Sequence, residues 1–345
     1  MLPDLRLSRP ILAAWVLANL LLRWSPCRGD EKPNLVPRPD LFETLVNPNC
    51  SHLVDEDQRR PGELKPEERV LAWIRGYSEG GGIPHRFFFS KYPVISDTYG
   101  VFVCDTDAGF VRAFEPSLDF TFHGWRNGVI VMRHKDGTLY SSLTGVAFDG
   151  PGKGKRLKFV PHLATTWGYW FRAYPHAVTY HLFEKYQLAD FQKERTREPS
   201  LASRGKFGAE LPAEEPVLGL EIQGLARAYR LSDLAHSSGV VRDTLSGRDV
   251  VILWYAPTGT AAAFAPSTEG EGSKAVTLEY DGSDPVAPFR DKETSSWWGV
   301  EGRARSGPLA GKTLEWLPAV QCRWFAWSAE YPATGIWQPA AKASP

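Results

Sequence analysis

Residues 133–177 read "RHKDGTLYSSLTGVAFDGPGKGKRLKFVPHLATTWGYWFRAYPHA", and residues 290–334 read "RDKETSSWWGVEGRARSGPLAGKTLEWLPAVQCRWFAWSAEYPAT". The two align without a gap at an offset of 157, with 14 of 45 positions identical. The shared residues are those that punctuate a chain. Gly150-Pro151, Gly154-Lys155, Leu157 and Pro161 recur as Gly307-Pro308, Gly311-Lys312, Leu314 and Pro318. Trp167, Trp170 and Tyr174-Pro175 recur as Trp324, Trp327 and Tyr331-Pro332. Upstream, "VLAWIRG" (70–76) answers "VLGLEIQG" (217–224), and "SDTYGVFVCDTDAGFVRAFEP" (96–116) answers "RDTLSGRDVVILWYAPTGTAAAFAP" (242–266). A period this long implies paired halves rather than a solenoid of small repeats.

Within each half the pattern is mainly β. "FTFHGW" and "VIVMRH" flank Arg126-Asn127-Gly128, and Asn-Gly is the strongest short hairpin signal. Asp136-Gly137 then turns into "TLYSSL", which completes a meander. "VLGLEI" and "LARAYRL" flank Gln223-Gly224, and "DVVILWY" and "AAAFA" form a further hairpin. Trp167, Trp170, Phe171 and Tyr174 stand at i, i+3, i+4 and i+7, one face of a helix that Pro175 stops. The fold expected is two homologous β-rich halves, each a twisted sheet or small barrel capped by one short aromatic helix. The halves span 67–183 and 215–338. A polar lead-in covers 28–66, a charged linker 184–214 and a tail 339–345.

Composition narrows the class. The chain has 345 residues, with 40 Lys and Arg against 40 Asp and Glu. That balance excludes a general electrostatic partner such as nucleic acid. The 31 Gly, 27 Pro and 43 aromatic residues (13 Trp, 12 Tyr, 18 Phe) suit short strands and many turns. Arg6 and Arg9 precede the apolar run Pro10–Leu22 and then "RWSPCRGD". Residues 1–27 therefore read as an export signal, or as an anchor if uncleaved, and the expected location is periplasmic or extracellular. Contact with a membrane is expected only through that segment. Of the four cysteines, Cys27 leaves with a cleaved signal. Cys50, Cys104 and Cys322 form no C-x-x-C pair, and their spacing specifies no disulfide.

These stretches resemble the domain of unknown function 3179 (DUF3179) family of bacteria and archaea. The residues that carry the likeness are "VLGLEIQGLARAYRLSDL", "RDTLSGRDVVILWY", "SLTGVAFDGPGKGKRLKFVP", "GPLAGKTLEWLP" and "RWFAWSAEYPAT". The resemblance implies an exported, mainly β protein with a two-half layout and no established activity. Family members typically carry Tyr-Cys-Pro-Leu-Cys-Gly after a strand of the first half, and a His shortly before an Asp-Thr pair. Here Cys104 aligns with the first Cys, Asp107 stands in place of the second, and Tyr92 or a neighbour stands where the His precedes Asp97-Thr98. The second half has "WYAPTG" there, with no thiol. The departure argues against thiol-redox or soft-metal chemistry.

The candidate sites follow. Cys104-Asp105-Thr-Asp107 can be read as a metal or calcium loop, as a reactive thiol, or as a hairpin turn. A calcium loop wants an acid where Gly109 stands and a bidentate Glu where Pro116 stands, so the turn is favoured. Cys104 reads equally as a small buried apolar residue. His123, Trp125 and Arg126 gather near a hairpin tip, where strict alternation puts His123 and Trp125 on one face. They could bind a carboxylate or a glycan, and the bland alternative is a meander with an exposed tip. No cofactor is evident. The first functional expectation is a non-catalytic binding or structural protein of the cell envelope, with any small-molecule ligand between the halves. The alternative is a metal- or thiol-dependent enzyme using Cys104 and Asp107.

Overall fold

The computed structural model describes residues 34–48, 50–52, 65–75, 79–90, 92–180 and 193–339. The expected signal or anchor at 1–27 lies outside them, with parts of the lead-in, linker and tail.

Three strands come from the lead-in: β1 (Leu35–Pro37), β2 (Thr44–Val46) and β3 (Cys50–His52). The first half follows with β4 (Arg69–Arg75), β5 (Glu79–Pro84), α1 (His85–Ser90), β6 (Val94–Ser96), β7 (Val101–Asp105) and β8 (Phe110–Phe114). It continues through the meander β9 (Phe120–Arg126), β10 (Val129–His134), β11 (Leu139–Ser141) and β12 (Ala147–Asp149). It closes on β13 (His162–Thr166), α2 (Trp167–Ala173) and β14 (Val178–Tyr180). The segment read as a linker contains a helix, α3 (Lys193–Ser203).

The second half runs β15 (Pro216–Ile222), β16 (Leu225–Arg230), α4 (Leu231–Ala235), β17 (Val240–Leu245), β18 (Arg248–Tyr255) and β19 (Thr260–Thr268). Its meander is β20 (Leu278–Tyr280), β21 (Phe289–Asp291), β22 (Trp297–Trp298) and β23 (Ala304–Ser306). It ends with β24 (Leu314–Leu317), β25 (Val320–Arg323), α5 (Trp324–Glu330) and β26 (Gly335–Ile336).

The molecule is mainly β, and the described residues form three sheets on each side. The first half's sheets are ordered β13-β4-β5-β14-β3, β2-β6-β7-β8 and β1-β9-β10-β11-β12. The second half's are ordered β25-β15-β16-β26, β17-β18-β19-β24 and β20-β21-β22-β23. The hairpin β4-β5, flanked by β13 and by a parallel β14, thus has the same surroundings as β15-β16, flanked by β25 and by a parallel β26. Each lead-in strand adds to a different sheet of the first half.

The two aromatic helices pack on glycine. In α2, Trp170 lies against Gly80 and Gly82 of β5, where an added Cβ would come within 3.1 and 3.2 Å of its ring. In α5, Trp327 lies over Gly219 of β15, where a Cβ would fall 2.3 Å from the ring. Each indole stacks on a tyrosine one turn later. Trp170–Tyr174 and Trp327–Tyr331 both have ring centroids 4.3 Å apart. An indole buried this way removes roughly 150–250 Å² from water, on the order of 4–6 kcal/mol before ordering costs.

The helices also cross between halves. Tyr169 of α2 enters a core shared with Tyr255, Phe289 and Trp298 of the second half. Phe325 of α5 enters a core with Ala108, Phe110 and Val129 of the first. Each helix therefore caps its own sheet with one face and the opposite half with another. For this reason the described residues form one compact unit rather than two domains.

Gly219→Ala is expected to destabilise the protein by about 1–3 kcal/mol, because Trp327 cannot retreat from the new methyl. Gly335→Ala, with open space around the added carbon, serves as the control. Urea unfolding of both variants checks this, and equal midpoints would count against the indole–glycine contact.

Candidate functional site

The stretch 101–110 is a hairpin: β7, a turn through Thr106–Gly109, then β8. Asp105 organises it. Its Oδ1 accepts from the backbone N–H of Asp107 (3.2 Å) and Ala108 (2.9 Å), and its Oδ2 accepts from that of Ile130 (2.8 Å). Burial outweighs these bonds and lifts the carboxyl to a pKa of about 7.

Asp107 is a strut. Its carboxylate accepts from the Ser200 hydroxyl of α3 and pairs with Arg204 Nη2 at 2.9 Å. Arg204 also pairs with Glu214 at 2.9 Å, and its guanidinium lies 3.6 Å over the Phe325 ring. Linker, hairpin tip and α5 are thus tied at one point. The Asp107 Oδ2 is engaged by both an arginine and a serine. Among the described residues no group of three or more His, Cys, Asp or Glu is placed to hold a metal ion.

The second candidate cluster changes more. The turn Asn127-Gly128 has φ of 55° and 76°, as a tight hairpin of this type requires. Strict alternation fails just before it, because the β9–β10 register shifts between Val131 and Met132 and leaves His123 as the extra residue of a bulge. Gly124 permits this with φ 149°, and a Cβ there would meet the Val36 carbonyl oxygen at 2.2 Å. As a result Trp125 shares the core face with Phe122, while half-buried His123 turns away from it. Trp125 is 0% exposed, packed edge-on to Phe42 and Phe122. Arg126 lies 4.4 Å over Phe148 and 3.8 Å from Glu330 of α5, which also accepts from Asn127. The exposed tip of the sequence reading is therefore a half-buried clasp on α5, and the fully buried Trp125 presents no face to a glycan.

Tyr92 is buried near Phe87, with ring centroids 6.4 Å apart. Asp97 is buried in a turn, and its Oδ1 accepts from the Thr98 N–H (2.5 Å) and hydroxyl (3.1 Å).

A cleft of about 290 Å³ gathers Cys104 and Asp105 with residues from both halves. The first half contributes Arg69 and His85 besides, and the second contributes Leu231 and Cys322. Neither Asp107, Tyr92, Asp97 nor the 123–126 cluster lines it. Arg69 donates to the Ala164 carbonyl at 2.9 Å and, across the halves, to the Thr258 carbonyl. Burial lowers its pKa to about 10. His85 is driven to about 3 by burial and then by the charge of Arg69, so its ring is neutral. Its Nε2 is buried with no partner among the described residues. Burial pushes the Cys104 thiol up, with a further push from Asp105, and lifts Cys322 to about 12. Both are free, protonated thiols and weak nucleophiles at neutral pH.

Sequence reasoning placed Cys104 and Asp105 at the site and missed Arg69, His85 and Cys322. Arg69 precedes the repeated "VL" by one residue, and Pro216 occupies that place in the second half. The difference between the halves was the available signal. A second buried polar cluster, also missed, joins Tyr169 to Glu301 (2.5 Å) and Glu301 to Arg305 (2.6 Å). It fastens α2 to the second half.

Because Asp105 holds its proton in the folded state up to about pH 7 and releases it near pH 4 when unfolded, its contribution to stability falls as pH rises between those values. Unfolding free energies across that window should fall less steeply for Asp105→Asn than for wild type. Parallel curves would show that the buried carboxyl is not the titrating group.

No curated protein and no solved structure matches the chain. The family model described as "Protein of unknown function (DUF3179)" matches residues 98–334. That span takes in the turn at Cys104, both aromatic helices and most of the repeated sheets, and the chain belongs to this family.

Proposed function

We propose that this chain is an exported, non-catalytic binding protein of the cell envelope, built by internal duplication, whose small-molecule ligand occupies the cleft between the halves. The observation that carries the reading is the cleft itself. It is walled by residues of both halves and holds Arg69, a partly buried cation with no carboxylate partner among the described residues. Clefts where domains meet are where small ligands are commonly held. The duplication is supported by the 14 shared positions in 45 and by the recurring sheet orders. Export rests on the basic and apolar residues of 1–27.

The non-catalytic part rests on the state of the side chains. The thiols of Cys104 and Cys322 are protonated, and Asp107 is committed to Arg204. A metal or thiol site shared by Cys104 and Asp107 would first have to break that ion pair, which is expensive for a buried pair.

Filling the cleft tests the binding role. Thermal-shift screening against a panel of several hundred small metabolites is expected to yield hits on the wild-type protein that Leu231→Trp no longer binds. A panel without a hit, or hits indifferent to the tryptophan, would remove the cleft from consideration. For export, residues 1–27 fused to a phosphatase active only outside the cytoplasm should give an active reporter, and an inactive, intracellular fusion would refute the location.

A further inference from the structure

We propose that the ligand is a small organic carboxylate, with its carboxylate on Arg69 and its apolar body against Phe110, Pro216 and Leu231. This assignment rests on the reading of the cleft as a binding site and adds the chemistry of the occupant.

The charge of Arg69 is the first ground. Its guanidinium is partly buried, and its two hydrogen bonds go to carbonyl oxygens, which carry no net charge. Among the described residues no carboxylate pairs with it, and burial alone accounts for the lowering of its pKa. A buried cation without a counter-ion is costly, whereas one that meets an anion forms a strong, charge-assisted contact. Arg112 provides the contrast. It too crosses between halves, donating to Leu143 and to Pro318 at 2.9 and 3.0 Å, but it lies over the Phe159 ring and does not line the cleft. Arg323 reaches the cleft already paired with Glu214. Arg69 is the cleft cation that remains uncompensated. The lining carboxylate, Asp105, has both oxygens engaged by backbone N–H groups and is driven towards its neutral form, so it does not fill the role.

The apolar wall is the second ground. Phe110, Pro216 and Leu231 line the cleft with Arg69, and the neutral His85 ring adds no competing charge. A carboxylate carried on an apolar body fits such a lining.

The test uses two compounds of one shape: mandelate, which carries the charge, and mandelamide, which does not. Isothermal titration of the mature protein should rank mandelate first, with mandelamide about 10–100-fold weaker, the usual worth of a charge-assisted hydrogen bond. Arg69→Gln should erase the preference for mandelate over mandelamide, and Arg69→Lys should keep it. Should Arg69→Gln fail to fold, judged by circular dichroism, the wild-type ranking and the lysine variant still decide. Equal binding of mandelate and mandelamide overturns the anionic assignment, as does no binding of either when neutral panel compounds bind in a Leu231-dependent way. In both cases the cleft remains the site. Absence of binding by these two and by the whole panel overturns the cleft as well.

Discussion

The contact on which the rest depends is an indole lying on bare backbone. Trp170 rests on Gly80 and Gly82, and Trp327 rests on Gly219. A side chain at these strand positions would hold each helix away by the thickness of a methyl group or more. Close approach brings Tyr169 within reach of Glu301 and the Val300 N–H, and Phe325 within reach of Gly128. Helix position therefore follows from what three glycines lack, and the joining of the halves follows from helix position.

Two of the polar links between halves are made by arginines. Carbonyl oxygens on outer strands and in turns lack ladder N–H partners. A guanidinium, with five donors on a long stem, can reach several of them. Arg112 does this for Leu143, Pro318 and Ala319, and Arg69 for Ala164 and Thr258. One is sealed over by an aromatic ring and the other faces a cleft. A structural device thus becomes a candidate recognition device when the packing around it is left incomplete.

Legibility varied with the range of the interaction. Turns at Asn127-Gly128 and Gln223-Gly224 were readable because positive φ is a local demand met by few residue types. The two aromatic helices were readable from four residues at helical spacing and a proline. The bulge at His123-Gly124 was not, since the sequence offers only a glycine inside a strand pattern. Missing it reversed the face assigned to Trp125. Helix α3 was not legible either. With Pro199 inside it and a polar composition, it has no apolar stripe, and it is held by Ser200 and Ser203 in the first half's core edge and by the neighbouring Arg204–Asp107 pair.

By itself the sequence determined that the chain is mainly β, that its parts recur at an offset of 157, and that "VFVCDTDAGF" turns at its centre. Those properties rest on turn chemistry and periodicity, which act between residues close in the chain. Only the tertiary structure decided that Asp107 braces the linker, that Trp125 is core, and that Cys104 shares a cleft with Arg69, His85 and Cys322. Those facts depend on which half each helix enters. That is set by shape complementarity across more than a hundred residues of chain, and no local pattern encodes it.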